Sequence, residues 1–338
     1  MKAVVHDTYG PPDLLSVRNM PTPTIGPGDV LVQVSAAGLH VGDCFGLRGA
    51  PFPVRFVTGL VRPTPGVPGF DLAGRVVSIG SHVTRFRPGD AVFGIGRGTC
   101  AELAGAAEAQ LQLKPPSLTY PQAAAIPMSA LTALHGLRNA GRVQPGQRVL
   151  INGASGGVGT FAVQIAKALG AEVTGVCSAA NVPLIQSLGA DHAIDYARQD
   201  FTRTGPYDLV FDNIENRPIA ECRRALTPGG SLVLNSGTGR RGLRFLARLV
   251  APLMLSAFVR HRIRRFLSTP NHKDLAVLAA WVESGALTPV IDRTFQLHET
   301  ADALRHIETG HARGKVVIAL DRKEVSDGSA TGPVDRVT

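Results

Sequence analysis

The feature that most constrains the fold of this chain is the run RVLINGASGGVG at residues 148–159. A short apolar strand, Val149–Ile151, leads into a loop of small residues, Gly153–Gly159, and a helix is predicted after it. The apolar face of that helix recurs at intervals of three and four, at Val158, Ala162, Ile165 and Leu169. Such a loop lets the backbone approach a pyrophosphate, and the helix N-terminus favours its charge. The pattern predicts a dinucleotide site.

Downstream, strand-like and helix-like segments alternate. A glycine-rich loop alone also fits a plain turn, so this context decides between the two interpretations. The predicted strands are Glu172–Cys177, Ala193–Asp195, Tyr207–Asp212 and Gly230–Leu234, and the predicted helices are Val182–Leu188 and Ile219–Leu226. Alternation at these lengths indicates a parallel, doubly wound sheet, the setting in which such a loop binds a dinucleotide.

The first part of the chain has a different pattern. Proline and glycine separate short strand-like runs such as Val30–Val34, Gly74–Ile79 and Asp90–Phe93, which predicts a β-rich, barrel-like domain. The sequence becomes helix-rich at Tyr120–Leu137, and the late run Gly314–Leu320 is predicted to return to the first domain. The predicted organisation is a β-rich domain at 1–118, a dinucleotide-binding domain at 119–268, a return to the first domain at 269–322 and a flexible tail at 323–338.

Composition narrows the function classes. The chain has 338 residues, of which 44% are hydrophobic, enough for the cores of about two domains. No run approaches the length of a membrane span, and the start, MKAVVHDTYG, is strand-like, so we expect a soluble cytoplasmic protein without stable membrane insertion. The four cysteines form no C-x-x-C pair, which argues against a disulfide framework and a cysteine-rich zinc lobe.

The net charge of +9 raises nucleic acid as a partner, but no nucleic-acid motif accompanies it, and none is predicted to bind. Much of the excess comes from eight arginines between Arg240 and Arg265, which bracket the apolar stretch Leu249–Val259. We expect a helix pair with solvated arginines there. The alternative is a basic surface that touches anionic membrane or admits an apolar substrate.

The type of dinucleotide depends on the charge at the end of the second strand. A carboxylate there would bond a ribose 2′-hydroxyl and repel a 2′-phosphate. The position falls near Ser178, which is neutral, and this favours NADPH. Tyr196 and Arg198 would complete a phosphate site from the next loop, although an exposed arginine in a loop is usually just solvated.

Several phrases of the chain resemble the medium-chain dehydrogenase/reductase superfamily, in particular its zinc-independent, quinone-oxidoreductase-like branch. They are MKAVVHDTYGPPDLL at the start, RFRPGDAVFG at 85–94, AAAIPMSALTALHGL at 123–137, VLINGASGGVGTFAVQIAKALGAEVTGVCS at 149–178, SLGADHAIDY at 187–196 and HARGKVVI at 311–318. The resemblance implies an α/β fold in which a Rossmann domain with a doubly wound parallel sheet is inserted into a β-rich GroES-like catalytic domain. It also implies bound NADPH and a homodimer.

Zinc-dependent relatives place metal ligands at positions that correspond here to His40, Phe70 and Met128. One histidine beside a phenylalanine and a methionine does not supply the ligands of a catalytic zinc, so no metal is predicted. In the fingerprint itself, Ala154 stands where the first glycine would be, and Gly156 and Gly159 remain.

The resemblance also assigns residues to the coenzyme. It places Thr132 near the nicotinamide, and it places Asn213, Ser236 and Gly237 where the dinucleotide crosses the sheet, with Lys315 closing over it. Ser236-Gly237 would otherwise be a turn, and Lys315 an ordinary strand-edge lysine. The residues implied at the pyrophosphate and the adenosine end are Ser155, Gly156, Gly157, Val158, Gly159, Ser178, Asn181 and Tyr196.

His40 stands where this branch usually has asparagine, and Phe52 where many relatives present a tyrosine. A histidine in the cleft between the domains can hydrogen-bond an enolate oxygen or supply a proton. Asp43 would orient it. The alternatives are a structural histidine bonded to backbone and an aspartate that forms a turn. The candidate catalytic residues are therefore His40 and Asp43.

The hypothesis that follows is an NADPH-dependent, zinc-free oxidoreductase. It would reduce a quinone, or the C=C bond of an α,β-unsaturated carbonyl compound, by hydride transfer to a small apolar acceptor. Two alternatives stay open at this point. One is a biosynthetic enzyme of the same fold that couples reduction to rearrangement or catalyses a redox-neutral step, and the other is a non-enzymatic nucleotide-binding protein.

Overall fold

The computed structural model describes residues 1–64, 66–235 and 261–320. In chain order the strands of these residues are β1 (Lys2–Val5), β2 (Ser16–Asn19), β3 (Asp29–Leu39), β4 (Asp71–Ile79), β5 (Ala91–Ile95), β6 (Leu103–Ala107), β7 (Leu111–Leu113), β8 (Arg148–Asn152), β9 (Glu172–Cys177), β10 (His192–Asp195), β11 (Tyr207–Asp212), β12 (Leu226–Leu234), β13 (Arg262–Arg265), β14 (Ile291–Gln296) and β15 (Lys315–Ala319).

The helices connect and cover these strands. They are α1 (Val41–Arg48), α2 (Arg55–Thr58), α3 (Tyr120–Ala124), α4 (Pro127–Leu134), α5 (Gly157–Ala168), α6 (Val182–Ser187), α7 (Ile219–Arg224), α8 (His272–Glu283) and α9 (Thr300–Glu308). A π-helical segment, His135–Gly141, extends α4.

Strands β8 to β13 form a parallel sheet in the spatial order β10-β9-β8-β11-β12-β13. Numbered within the sheet, this is 3-2-1-4-5-6, the doubly wound order of dinucleotide-binding domains. Both faces of the sheet are buried, since Val149 and Ile151 belong to one hydrophobic cluster and Leu150 to another. This explains why its strands read as continuous apolar runs. The predicted fold class is confirmed.

The second sheet has the order β14-β15-β3-β4-β5-β7, with β6 also pairing with β3. Strand β15 pairs antiparallel with β3, with Val316 opposite Leu39, so the last strand lies in the same sheet as β3. Alternate residues of β3, including Val30, Val32 and Val34, point into the core of this domain.

The two domains meet where the last strand begins. The Gly314 amide donates to the Ser155 carbonyl over 2.9 Å, and Gly156 and Gly314 form a parallel bridge. The loop after β8 is thereby held against the start of β15. The glycine-rich loop and the catalytic sheet therefore face the same interdomain cleft.

One expectation about the arginine-rich segment is wrong where the structure describes it. Residues 262–265 form β13, the sixth strand of the parallel sheet, and not part of a helix pair. The sequence pattern of this strand is mostly charged because Ile263 is its only buried residue. Arg265 hydrogen-bonds the buried carboxylate of Glu215. Residues 240–260, Ser236, Gly237 and the predicted tail lie outside the described residues.

Candidate functional site at the interdomain cleft

The loop from Gly153 to Gly159 lies at the point where the sheet order reverses, between β8 and β11. Gly156 caps α5 with extended backbone, so the helix N-terminus faces the carboxyl end of the sheet. A Cβ at Gly159 would lie 2.0 Å from the Gly153 carbonyl oxygen, which only glycine avoids. The loop therefore has the compact shape that leaves amide groups free for an anion.

Polar side chains surround this loop on the side of β9 and β10. Asn181 Nδ2 donates to Ser155 Oγ over 3.0 Å, and among the described residues Asn181 Oδ1 is buried without a hydrogen-bond partner. Ser178 is half-buried directly after β9. The Tyr196 amide donates to the Cys177 carbonyl, and its side chain is exposed. Four of the predicted coenzyme residues thus meet at one edge of the sheet.

The other side of the loop is tied to β11 and β12 by amide groups. Asn213 Nδ2 donates to the Asn152 carbonyl over 3.1 Å, and Asn235 Nδ2 donates to Asn213 Oδ1 over 2.9 Å. Beneath them, the buried Asp212 carboxylate accepts from Asn152 Nδ2 over 2.7 Å. Burial raises the pKa of Asp212. Asn213 therefore lies directly after β11, beside the loop that follows β8.

The sequence reasoning missed the support of this crevice. Glu215 has a φ of 53° and is held by two hydrogen bonds from Arg265, of 2.9 and 2.8 Å. Asp212 Oδ1 accepts the amides of Ile214 and Glu215. The local signal is an aspartate that ends a buried strand and a glutamate three residues later.

Lys315 lies in a buried ion pair of the catalytic domain, at its boundary with the coenzyme domain. Its Nζ is 3.1 Å from Asp71 Oδ2 and 3.1 Å from Ser129 Oγ, and the Met128 amide donates to Asp71 Oδ1 over 2.9 Å. Both charged side chains are at most 1% exposed. Thr132, the predicted nicotinamide neighbour, is half-buried on the same helix, α4. Sequence reasoning missed Asp71 and Ser129, although a lysine in a buried apolar strand requires a carboxylate partner.

His40 and Asp43 cap the N-terminus of α1. The Gly42 amide donates to His40 Nδ1 over 3.0 Å, and the His40 amide donates to Asp43 Oδ2 over 2.8 Å. Because Nδ1 accepts a hydrogen bond, the neutral ring carries its proton on Nε2. Among the described residues this buried Nε2 has no hydrogen-bond partner.

The environment of these two residues is apolar. The His40 ring stacks on Phe70, with centroids 5.8 Å apart and planes inclined by 13°. Burial lowers the pKa of His40 to about 4, against an opposing effect of Asp71, so the ring is neutral near pH 7. Burial also raises the pKa of Asp43 to about 7. His40 is thus a neutral N–H donor that no described residue pairs with.

The residues present do not fit a catalytic zinc. Phe70 stacks on His40, and Met128 uses its backbone amide to hold Asp71, so one nitrogen donor remains at the three corresponding positions. Within residues 1–64, 66–235 and 261–320, no group of three or more His, Cys, Asp or Glu side chains could hold a metal ion. A dinucleotide fits better, because the glycine cradle and the unpartnered Asn181 oxygen lie together.

Comparison with known proteins gives matches along most of the chain. Residues 26–117 match the alcohol dehydrogenase GroES-like domain, and residues 188–318 match the zinc-binding dehydrogenase family. The chain is 34% identical to a 2-methylene-furan-3-one reductase of Solanum lycopersicum and 33% identical to a chloroplastic NADPH-dependent alkenal/one oxidoreductase of Arabidopsis thaliana. Each match covers 94% of this chain and 79% of the relative.

Among solved structures, the quinone oxidoreductase of Coxiella burnetii is similar, with a TM-score of 0.83 and 31% identity over 95% of this chain and 99% of that one. The fold and these matches define an oxidoreductase of the medium-chain dehydrogenase/reductase superfamily, and the chain belongs to its zinc-independent, quinone-oxidoreductase-like branch. It is an enzyme of the enoyl or quinone reductase type and uses a nicotinamide coenzyme. In the described part of the chain, none of the helices is both long and apolar enough to cross a bilayer.

Proposed function

We propose that this enzyme is an NADPH-dependent, zinc-free reductase of quinones or of the C=C bond of α,β-unsaturated carbonyl compounds. The observation that carries the proposal is the His40 Nε2–H, which has no partner among the described residues. It is fixed in one tautomer and stacked on Phe70, at positions where zinc-dependent relatives hold metal. The similarity to proteins named as alkenal/one, furanone and quinone oxidoreductases supports it.

The role of the chain is to bind and polarise the acceptor. When bound, the coenzyme supplies a hydride. Addition at the β-carbon moves the electron pair of the C=C bond toward the carbonyl, so negative charge develops on the carbonyl oxygen. His40 Nε2–H donates a hydrogen bond to that oxygen, and a proton from water completes the α-carbon. His40 acts as a neutral donor, and not as an imidazolium acid, because its pKa is about 4.

Asp43 positions His40 and does not touch the acceptor. Its carboxylate holds the His40 backbone amide, which fixes the start of α1 and with it the ring. Phe70 supports the other side of the ring. Thr132 on α4 borders the coenzyme, and so does Lys315, which Asp71 holds in place.

We assign the pyrophosphate to the loop residues Ser155, Gly156, Gly157, Val158 and Gly159, and the adenosine end to Ser178, Asn181 and Tyr196. Preference for NADPH is supported by the neutral Ser178 at the end of β9 and by the exposed Arg198 in the loop that carries Tyr196. Asn213 borders the crossing of the sheet. We propose the same role for Ser236 and Gly237, which lie outside the described residues. The homodimer and the cytoplasmic location stay predictions.

The test is an assay of the purified enzyme with NADPH or NADH against quinones, enones and enals, with deuterated coenzyme to trace the hydride into product. His40→Ala is expected to lower kcat about 100-fold, the usual loss for one donor to a developing oxyanion, with the coenzyme Kd unchanged. His40→Asn, which keeps an N–H donor, is the matched control and retains more activity. Tight NADPH binding without turnover of any acceptor, or stoichiometric zinc in active preparations, would contradict the proposal.

The coenzyme preference has its own test. Ser178→Asp places a carboxylate at the end of β9, where it repels a 2′-phosphate and accepts from a 2′-hydroxyl. We expect the Kd of NADPH to rise at least about tenfold while the Kd of NADH falls. Calorimetric titration of both coenzymes measures this. Equal effects on the two coenzymes would show that Ser178 lies away from the ribose.

A further inference from the structure

An exposed apolar cluster lies on the catalytic domain, in the segment that follows α1. We name it the 52–61 patch and define it by five side chains that are 56–84% exposed: Phe52, Phe56, Val57, Leu60 and Val61. Phe52 and Phe56 contact each other edge to face, with centroids 5.8 Å apart. Single exposed apolar residues are normal, but five within ten residues mark an interaction surface.

The patch is anchored from its inner side. The Tyr9 hydroxyl hydrogen-bonds Thr58 Oγ1 over 2.9 Å and donates to the Gly59 carbonyl. Arg55 Nε donates to the Gly49 carbonyl over 3.0 Å, and its guanidinium lies 4.5 Å from the centre of the Tyr9 ring. Backbone and polar groups are thus satisfied internally while the apolar side chains remain outside. The apolar side chains are therefore exposed on a segment whose conformation is fixed by contacts with the rest of the domain.

The charged residues close to the patch in sequence are all basic. Residues 44–70 contain Arg48, Arg55 and Arg62 and no aspartate or glutamate. Arg48 is paired with Glu308, whereas Arg62 is exposed, with Asp7 as an acidic neighbour that also bonds Arg18. The acids that flank the segment, Asp43 and Asp71, are both buried. With a net charge of +9 for the whole chain, the patch would meet an anionic partner without local repulsion.

We infer that the 52–61 patch docks the enzyme peripherally on an anionic lipid bilayer, with its apolar side chains in the interface and the exposed Arg62 at the lipid phosphates. Apolar area combined with basic residues is the usual composition of interfacial elements, and each basic residue adds electrostatic attraction. This docking does not depend on the proposed reaction.

The position of the patch relates it to the cleft. Helix α1 begins at the His40 cap and ends at Arg48, a few residues before the patch, and eight helical residues span about 12 Å. A bilayer bound at the patch would therefore lie near the entrance to the site. Under the proposed function, apolar quinones or enals that concentrate in a membrane would be close to His40.

The test is cosedimentation of the full chain with vesicles of phosphatidylcholine containing phosphatidylglycerol, compared with pure phosphatidylcholine. We expect binding to the anionic vesicles that decreases with added salt. The double variant Val57→Asp/Val61→Asp is expected to lower the bound fraction about tenfold or more. Arg62→Gln is expected to weaken binding about fivefold, which corresponds to about 1 kcal/mol for one basic residue.

Leu267→Asp is the matched control, because Leu267 is 93% exposed and lies outside the patch. It should bind vesicles as the unaltered enzyme does, and thermal unfolding checks that all variants fold. Absence of vesicle binding by the unaltered enzyme overturns the inference. So does binding that survives in Val57→Asp/Val61→Asp. If the double variant instead abolishes self-association, or raises KM for long-chain acceptors without vesicle binding, the patch serves a second copy or the substrate, and the inference is again wrong.

Discussion

At the scale of single residues, the sequence named His40 and Asp43 as candidate catalytic residues, but it did not show how the two interact. Asp43 Oδ2 lies 3.6 Å from His40 Nδ1 and bonds the His40 backbone amide, while Nδ1 accepts from Gly42. The contact is therefore a helix cap and not a carboxylate–imidazole relay. This arrangement fixes the tautomer, and burial keeps the ring uncharged. Hydrogen-bond direction of this kind depends on backbone placement, which residue identity does not encode.

The raised pKa of Asp43 leads us to predict an unusual pH dependence of the free energy of unfolding. Its folded-state pKa, about 7, lies above its ordinary value of 3.8, so the folded protein keeps the proton and its stability decreases as the pH rises toward 7. Asp43→Asn retains an acceptor for the His40 amide and removes the titration. Between pH 5 and pH 8, we expect the free energy of unfolding to fall by about 3 kcal/mol more in the unaltered enzyme than in Asp43→Asn.

Urea unfolding at both pH values measures the difference. His40 contributes in the opposite sense, because its lowered pKa costs stability as the pH falls from 6.5 toward 4. That contribution is common to both proteins and cancels in the comparison. Parallel pH dependences of the two proteins would mean that Asp43 is ionised in the folded state at pH 5.

At the scale of elements, the buried strands could be predicted closely and the charged one could not. Glu172–Cys177 and Tyr207–Asp212 have the predicted bounds because both faces of a parallel strand are buried and the apolar run is continuous. Strand β13 has one buried apolar residue, Ile263, and gains its place from pairing with β12 and from the Arg265–Glu215 ion pair. Those partners are distant in sequence, so composition alone suggested a helix.

The two glycines of the coenzyme loop should respond differently to substitution. Gly159→Ala forces a Cβ to within 2.0 Å of the Gly153 carbonyl oxygen, and we expect a loss of roughly 2 to 3 kcal/mol in the free energy of unfolding. Gly156→Ala has no neighbour closer than 3.5 Å, so the fold should be retained. Its methyl group stands at the N-cap of α5, where it should raise the Kd of the dinucleotide.

Thermal unfolding and calorimetric coenzyme titration separate the two effects. A Gly156→Ala variant with unchanged coenzyme affinity would place the pyrophosphate away from this loop. A fully stable Gly159→Ala variant would show that the loop relaxes around the added methyl group.

At the scale of the whole molecule, a buried ion pair of the catalytic domain is contacted by residues of the coenzyme domain. Asp71 and Lys315 are 244 positions apart, and Ser129 joins them from the coenzyme domain. The resemblance to the superfamily implied that Lys315 closes over the coenzyme, and no local pattern of the sequence connects it with Asp71. Its role follows from topology, since β15 and β4 both flank β3.

The substitution Lys315→Met measures the energetic cost of removing one member of this pair. The variant leaves the Asp71 carboxylate buried without its cation, and we expect a loss of about 3 to 5 kcal/mol in the free energy of unfolding. Asp71→Asn/Lys315→Met removes both charges and still accepts the Met128 amide, so it should recover most of that loss. A double-mutant cycle by urea unfolding gives the coupling energy. Strictly additive losses would show that the pair makes no net interaction.

The central position of β15 also bears on how the chain is made. Strand β13 completes the parallel sheet at residue 265, whereas β15, between β3 and β14, enters the other sheet only at residues 315–319. During translation the dinucleotide lobe therefore has its six described strands while residues 36–39 of β3 still lack the neighbour that β15 provides. Residues 29–33 of β3 already pair with β6. The nascent catalytic lobe is thus the part of the enzyme most exposed to chaperones and to misassociation.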